Sequence, residues 1–154
     1  MGIENGQKAP NFSCSADDNT ILSLADFKGK NLVIYFYPKD DTPGCTIESQ
    51  EFTKNYIKFK ELNCEIIGVS KDSIESHCRF RDKFSLTFPL LADTEGEMCK
   101  AYDVLGEKSM FGKKYIGIIR STFLLDTNGV LKKIWRDVSV TGHAQEVLDA
   151  VKQL

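Results

Sequence analysis

The sequence predicts an α/β fold in which a mixed central β-sheet carries helices on both faces. Three observations carry this. Residues 32–37 (LVIYFY) are β-branched and aromatic throughout, which reads as a strand buried on both faces. A helical pattern follows from about residue 43 to 62, with Phe52, Tyr56 and Phe59 on one face, and then a second apolar run, 65–70 (EIIGVS). Strand, helix and strand in that order form a right-handed parallel unit. Near the C-terminus, residues 120–126 and 130–136 read as strands joined by Asp126-Thr127-Asn128-Gly129, a hairpin signal that adds antiparallel pairing.

The remaining elements fit around this frame. Residues 21–24 (ILSL) read as a short edge strand, closed by the turn signal Lys28-Gly29-Lys30. Residues 38–44 are rich in breakers and form a loop. Thr42 suits the N-cap of the first helix and Pro43 its first position. Asp72 opens a second helix that runs to about Phe84. A short strand over 88–91, a short helix over 95–102, a long loop with three glycines over 105–119 and an amphipathic closing helix over 143–154 complete the chain.

Length and composition bound the function. At 154 residues, with no repeat or linker-like tract, residues 1–154 read as one domain. A net charge of −2 argues against nucleic acid as a partner, because phosphate binding needs a basic surplus. The densest basic spots, Lys113-Lys114 and Lys132-Lys133, read as solvated faces. The longest apolar run, 32–37, is far too short to span a bilayer, and residues 1–10 lack the apolar segment of a secretory signal. A cytoplasmic location is therefore expected. Five cysteines, odd in number and irregular in spacing, with no C-x-x-C, fit a reducing compartment better than a disulfide scaffold.

Cys45 is the informative residue. It falls in the first turn of a helix that follows a buried strand, the sheet edge where open α/β folds place their sites. A thiol there faces unpaired backbone N–H groups and the positive end of the helix dipole, both of which favour thiolate, the nucleophilic form. The competing reading is a small buried hydrophobe, since Cys45 also lies one heptad before Phe52.

The surrounding residues resemble a known family. Pro38 to Cys45 (PKDDTPGC) has the P-x-x-x-T-x-x-C pattern of peroxiredoxins, and the longer run YFYPKDDTPGCTIES is similar to the bacterioferritin-comigratory, or Q-type, branch. The segments GQKAPNF (6–12), DFKGK (26–30), SKDSIESH (70–77), GEKSMFGKK (106–114) and RSTFLLD (120–126) fit the same family in order, so the resemblance covers nearly the whole chain. It implies a thioredoxin-like fold, the α/β class derived above. It also implies a peroxidase that reduces hydrogen peroxide and organic hydroperoxides through a sulfenic acid, using thioredoxin or a glutaredoxin-type protein as reductant. Members of this branch are often monomers, and no membrane, nucleic acid, metal or organic cofactor is expected.

The resemblance assigns roles. Cys45 is the peroxidatic nucleophile, and the N–H groups of Gly44 and Cys45 hold peroxide oxygen. The Thr42 hydroxyl lies beside the sulfur, a role that coexists with an N-cap. Pro38 shields the sulfur, or simply ends the strand. Arg120 places a cation at the sulfur and the departing oxygen; read from composition alone it is an exposed edge arginine. Topology favours the former, because a strand antiparallel to the central one starts at the same sheet edge as Cys45. Glu48, one turn after Cys45, orients the arginine or faces solvent.

Sulfenic acids condense with thiols. Many members of this branch carry the resolving cysteine five residues after the nucleophile; here that residue is Gln50. A second subset carries it on the helix after the S-H motif, at the position of Arg81, and Cys78 lies one turn earlier on the same face. Cys78 is therefore the candidate resolver. Its alternative is a helix cysteine packed on Ile74, which leaves a one-cysteine enzyme recycled by an external thiol. Cys14, Cys64 and Cys99 read as structural. A thiol–disulfide carrier would need C-x-x-C where Cys45-Thr46-Ile47-Glu48 stands. A non-catalytic binding module would share the fold without the chemistry, and zinc at His77 and Cys78 lacks a second ligand pair. His143 reads as a polar residue at a helix start.

Overall fold

The computed structural model of the chain describes residues 3–154, so the first two residues of the polar N-terminal stretch lie outside it. The apolar run around residue 34 sits at the centre of the sheet. In chain order, β1 (Ser13–Ser15) and β2 (Ile21–Ser23) form a small antiparallel ladder, and Leu24–Phe27 make a 3-10 turn. Then come β3 (Asn31–Phe36), α1 (Pro43–Glu61), β4 (Cys64–Ser70), α2 (Ile74–Phe84), β5 (Leu90–Ala92) and α3 (Glu97–Ala101). They are followed by β6 (Leu105–Met110), β7 (Lys113–Ile118), β8 (Ser121–Leu125), β9 (Leu131–Arg136) and α4 (His143–Lys152). The main sheet has the order β5-β4-β3-β8-β9, with β3, β4 and β5 parallel and β8 and β9 antiparallel, as the mixed α/β reading requires.

The period of two along β3 divides the core. Leu32, Ile34 and Phe36 face one cluster with Met98 and Cys99 of α3 and Phe12 of the N-terminal segment. Val33, Tyr35 and Tyr37 face the other, with Cys45, Phe52 and Phe59 of α1, Phe80 of α2 and Val147, Leu148 and Val151 of α4. Tyr35 stacks on Phe52 at 4.8 Å between ring centroids, and its hydroxyl lies 2.8 Å from the Ser49 hydroxyl. Ring pairs of this kind contribute about 0.5–1.5 kcal/mol beyond area burial. They fix the first three turns of α1 against the strand that precedes it.

Three features differ from the sequence reading. The stretch 105–119 is mostly the hairpin β6–β7, not a loop. Its two-residue turn, Phe111-Gly112, takes positive φ at both positions (53° and 78°), which is the tight-hairpin geometry. Phe in place of the usual Asn or Asp hid the signal. The third parallel strand is Leu90–Ala92, starting two residues later than the sequence suggests, and its middle residue Leu91 bridges to Ala16. α2 is capped by Ser73, whose hydroxyl accepts from the Ser76 N–H, so Asp72 lies just outside the helix.

Strand direction then places the site. In β3–β8 pairing Phe36 stands opposite Ser121, so the chain leaves β3 toward α1 at the edge where Arg120 enters β8. The C-terminal ends of β4 and β5 open at that same edge.

Candidate active site

Cys45 is the third residue of α1, and its side chain is fully buried. Pro43 has no N–H, and the side chain of Thr42 does not cap the helix; its hydroxyl donates to the Lys39 carbonyl at 2.8 Å. Thr42 holds the N-cap position expected from the sequence, but its side chain makes no capping bond, because the loop turns its hydroxyl back on itself. The consequence favours chemistry. The N–H of Cys45, which a capping hydroxyl would occupy, is left open, and with that of Gly44 it belongs to the unpaired first turn. The Thr42 oxygen has given its proton to Lys39 and keeps its lone pairs for a donor.

Arg120 closes the site from β8. One terminal nitrogen lies 3.4 Å from Cys45 Sγ and the other 2.7 Å from Glu48 Oε1. The guanidinium is mostly buried, and Glu48 is almost wholly so at 1% exposure. Burial acts against both charges. For Glu48 it outweighs the nearby arginine and raises the carboxyl to about 7. For Arg120 the burial cost is exceeded by Glu48 and Cys45, which hold the guanidinium above its ordinary value. Glu48 is thus not a solvent-facing residue. It sits in the buried stripe of α1 at positions 45, 48, 49 and 52, where an apolar pattern search skips it. Its second oxygen, Oε2, is buried without a hydrogen-bond partner among the described residues.

Pro38 is half-buried at the end of β3, beside Asp40, whose carboxylate accepts from Tyr37, Ser76 and His77. Asp40, Asp72 and His77 bring ligand-type atoms within 4.8 Å of one another. Every Asp40 oxygen and Asp72 Oδ2 already accept protein hydrogen bonds, so the cluster is built as a polar network rather than a cation site.

A buried thiol at a helix start, flanked by open amides and an ion-paired arginine, is the arrangement that the sequence resemblance implied. The family model described as AhpC/TSA matches residues 5–134. The chain belongs to the AhpC/TSA family. It is 49% identical to peroxiredoxin Bcp of Bacillus subtilis over 154 residues, covering 100% of this chain and 98% of the relative. Among solved structures, the Xanthomonas campestris bacterioferritin comigratory protein, studied for alkyl peroxide reduction, superposes with a TM-score of 0.91 at 42% identity, covering 97% and 98% of the two chains. A Xylella fastidiosa peroxiredoxin Q mutant superposes with a TM-score of 0.94 at 39% identity, covering 99% and 98%. The fold is accordingly the thioredoxin-like one of Q-type peroxiredoxins.

The other thiols of this AhpC/TSA chain divide cleanly. Cys14 and Cys64 are buried, and burial pushes their thiols up to about 11 and about 12; Cys99 is buried and pushed higher still. Cys78 is half-exposed on α2, and its Sγ donates to the Asp17 carbonyl at 3.0 Å. It does not point into the core cluster that holds Cys45; Phe80 is the residue α2 sends there. Arg81, the position that the sequence resemblance linked to a resolving cysteine, pairs with Asp17 at 2.6 Å. All five cysteines are free.

The sequence reading missed two groups. Lys108, on β6, is half-buried; burial, then the charge of Arg120, lowers its ammonium, while Cys45 and Asp137 oppose that. It therefore adds a second cation to the electrostatics of the sulfur. A lysine in what looked like a loop gave no signal. His143 stands at a helix start as expected, but it is buried and its Nε2 lies 2.8 Å from the Thr122 hydroxyl. No described helix is long and apolar enough to cross a membrane.

Proposed function

We propose that this chain is a one-domain hydroperoxide reductase in which Cys45 is the nucleophile. The thiolate attacks the terminal oxygen of the peroxide, the S–O bond forms as the O–O bond breaks, and the other oxygen leaves as hydroxide or alkoxide, which takes a proton from solvent to become water or alcohol. Cys45 becomes a sulfenic acid. The single observation that carries this reading is the Arg120 guanidinium, which bridges Cys45 Sγ and Glu48 at one fixed geometry. A cation held there stabilises charge on the sulfur and, as the bond breaks, on the departing oxygen; preorganised donors of this kind are usually the largest catalytic contribution. The Gly44 and Cys45 amides hold the peroxide oxygen. Thr42 accepts a hydrogen bond from the peroxide O–H through its free lone pairs, and Pro38 shields the sulfur.

Cys78 resolves the sulfenic acid. Water leaves, a Cys45–Cys78 disulfide forms, and a thioredoxin or glutaredoxin-type dithiol reduces it. Pairing needs Cα atoms closer than about 7 Å, so α2 must release Cys78 from Asp17 and the first turn of α1 must open. A monomer in a reducing cytoplasm, with no metal, cofactor, nucleic acid or membrane, is the setting that five free thiols suit. A second reading, the one-cysteine enzyme, is favoured by one observation: Cys78 Sγ is turned onto the Asp17 carbonyl.

The deciding experiment adds one equivalent of hydrogen peroxide and maps cysteine states by mass spectrometry in wild type and Cys78→Ser. The expected product is a Cys45–Cys78 disulfide, replaced by sulfenic Cys45 in the variant. An unmodified Cys45 would end the peroxidase reading, and sulfenic Cys45 with reduced Cys78 in wild type would establish the one-cysteine route.

A further inference from the structure

A buried polar network stands behind the Cys45 loop and takes no part in the steps above. Asp40 lies five residues before Cys45 and is 7% exposed. Its Oδ1 accepts from the Tyr37 hydroxyl at 2.7 Å. Its Oδ2 accepts from the Ser76 hydroxyl at 2.8 Å and faces His77 Nδ1 at 2.7 Å. The Asp40 N–H donates to Asp72 Oδ2 at 2.8 Å, and the Ser70 hydroxyl donates to that same oxygen at 2.6 Å. His77 is fully buried, and its Nε2 lies 2.8 Å from the Leu91 carbonyl of β5.

The ring nitrogens settle the charge. A carbonyl oxygen only accepts, and an ionised carboxylate only accepts, so both nitrogens are satisfied only when both carry protons. Burial opposes that charge, but the hydrogen bond and charge of Asp40, the Leu91 carbonyl and the charge of Asp72 outweigh it and hold the imidazole above its ordinary value. The groups that face His77 are Asp40 and the Tyr37 hydroxyl, Asp72 before α2, the Leu91 carbonyl on β5 and the charge of Asp17 on the N-terminal segment.

We propose that His77 is a positioning residue for the peroxidase step: by clamping Asp40 against α2 and β5, it fixes the loop that presents Cys45 to Arg120. The loop needs such a clamp. Asp41 next to it has φ of 57°, a left-handed backbone that persists in an L residue when its surroundings over-determine it. On its outer side the loop carries the exposed Lys83–Asp41 pair and the Thr42–Lys39 hydrogen bond. With Asp40 pinned, the path from β3 to Pro43 has one course and α1 starts at one place. With Asp40 loose, the sulfur and the amides of the first turn shift relative to the Arg120 backbone, which is fixed at the start of β8, and the single geometry that joins Cys45, Arg120 and Glu48 is lost.

This inference rests on Cys45 being the nucleophile, and the test separates the two. The rate of Cys45 oxidation by hydrogen peroxide is measured in Cys78→Ser chain, so that resolution does not enter. His77→Gln and Asp40→Asn, each in that background, are expected to slow oxidation 10- to 100-fold, the scale of an ångström misplacement. The double variant should be no slower than the slower single one, because the two act as a unit. The chain has only two histidines, so their imidazole resonances can be followed against pH. His77 should remain protonated at neutral pH, and the oxidation rate of the parent should fall at alkaline pH as His77 loses its proton. That alkaline fall should be absent in Asp40→Asn, a change that general loosening would not produce. If the Cys78→Ser parent fails to react, the peroxidase reading fails. If the parent reacts and both variants match its rate, or if His77 is neutral at pH 6.5, the clamp is overturned.

Discussion

The Arg120 guanidinium lies 3.1 Å from where a β-carbon on Gly44 would stand. The arginine packs on the bare backbone that α1 presents at its second residue, closer than an ordinary side-chain contact would allow. Gly44→Ala should therefore push the guanidinium off the sulfur while leaving the core intact. A loss of about 10- to 100-fold in kcat/KM for hydrogen peroxide is expected, with little change in melting temperature. An equal rate in the alanine variant would show that the observed arginine position is not needed.

Arg120→Lys tests the fork rather than the charge. Lysine keeps the cation but is a point donor, and it cannot span Glu48 and Cys45 from one rigid plane. A drop of about 10²-fold in the rate of Cys45 oxidation is expected, in the range of losing an oriented transition-state donor. Stopped-flow oxidation of the lysine variant checks it.

Glu48 gives a pH signature. Its carboxyl is raised to about 7 when folded, against an ordinary value near 4.5. A raised value means that the folded chain binds this proton more tightly than the unfolded chain. Its contribution is full below about pH 4.5 and is lost as pH rises through about 7, a cost on the order of 3 kcal/mol. Urea unfolding of wild type should show stability falling over that window, and Glu48→Gln should flatten the slope. The same variant should slow Cys45 oxidation, because the amide no longer anchors Arg120 by charge.

Gly68, on β4, tests the core beneath the site. A β-carbon there would stand 2.8 Å from Tyr35 Cζ and 2.9 Å from its hydroxyl. Tyr35 is stacked on Phe52 and bonded to Ser49, so it has nowhere to move. Gly68→Ala should cost about 1–3 kcal/mol by overpacking, read as a lower urea midpoint.

The frame was legible in the sequence because β3 and α1 carry strong periodic patterns; the helix start at Thr42-Pro43 left Cys45 open between nucleophile and core residue, and the resemblance of the surrounding run decided it. Arg120 could be placed near Cys45 once the resemblance supplied a thioredoxin-like sheet, in which antiparallel β8 begins at that edge. What the sequence concealed has common causes. Glu48 sits on the buried stripe as a charged residue, so hydropathy assigns it to the surface. The β6–β7 hairpin turns on Phe111-Gly112, whose first residue seldom takes positive φ. His77 and Asp40 are 37 residues apart, and their pairing needs the ends of β3 and β4 to be side by side before it has any meaning.

The three deeply enclosed thiols have a consequence for how the molecule ages. At neutral pH Cys14, Cys64 and Cys99 stay protonated, since burial holds all of them far above it, and a protonated thiol is a poor target for oxidants. Oxidation of cysteine is thereby directed to Cys45 and Cys78, and a chain that has lost its activity to repeated exposure should still carry these three interior thiols reduced.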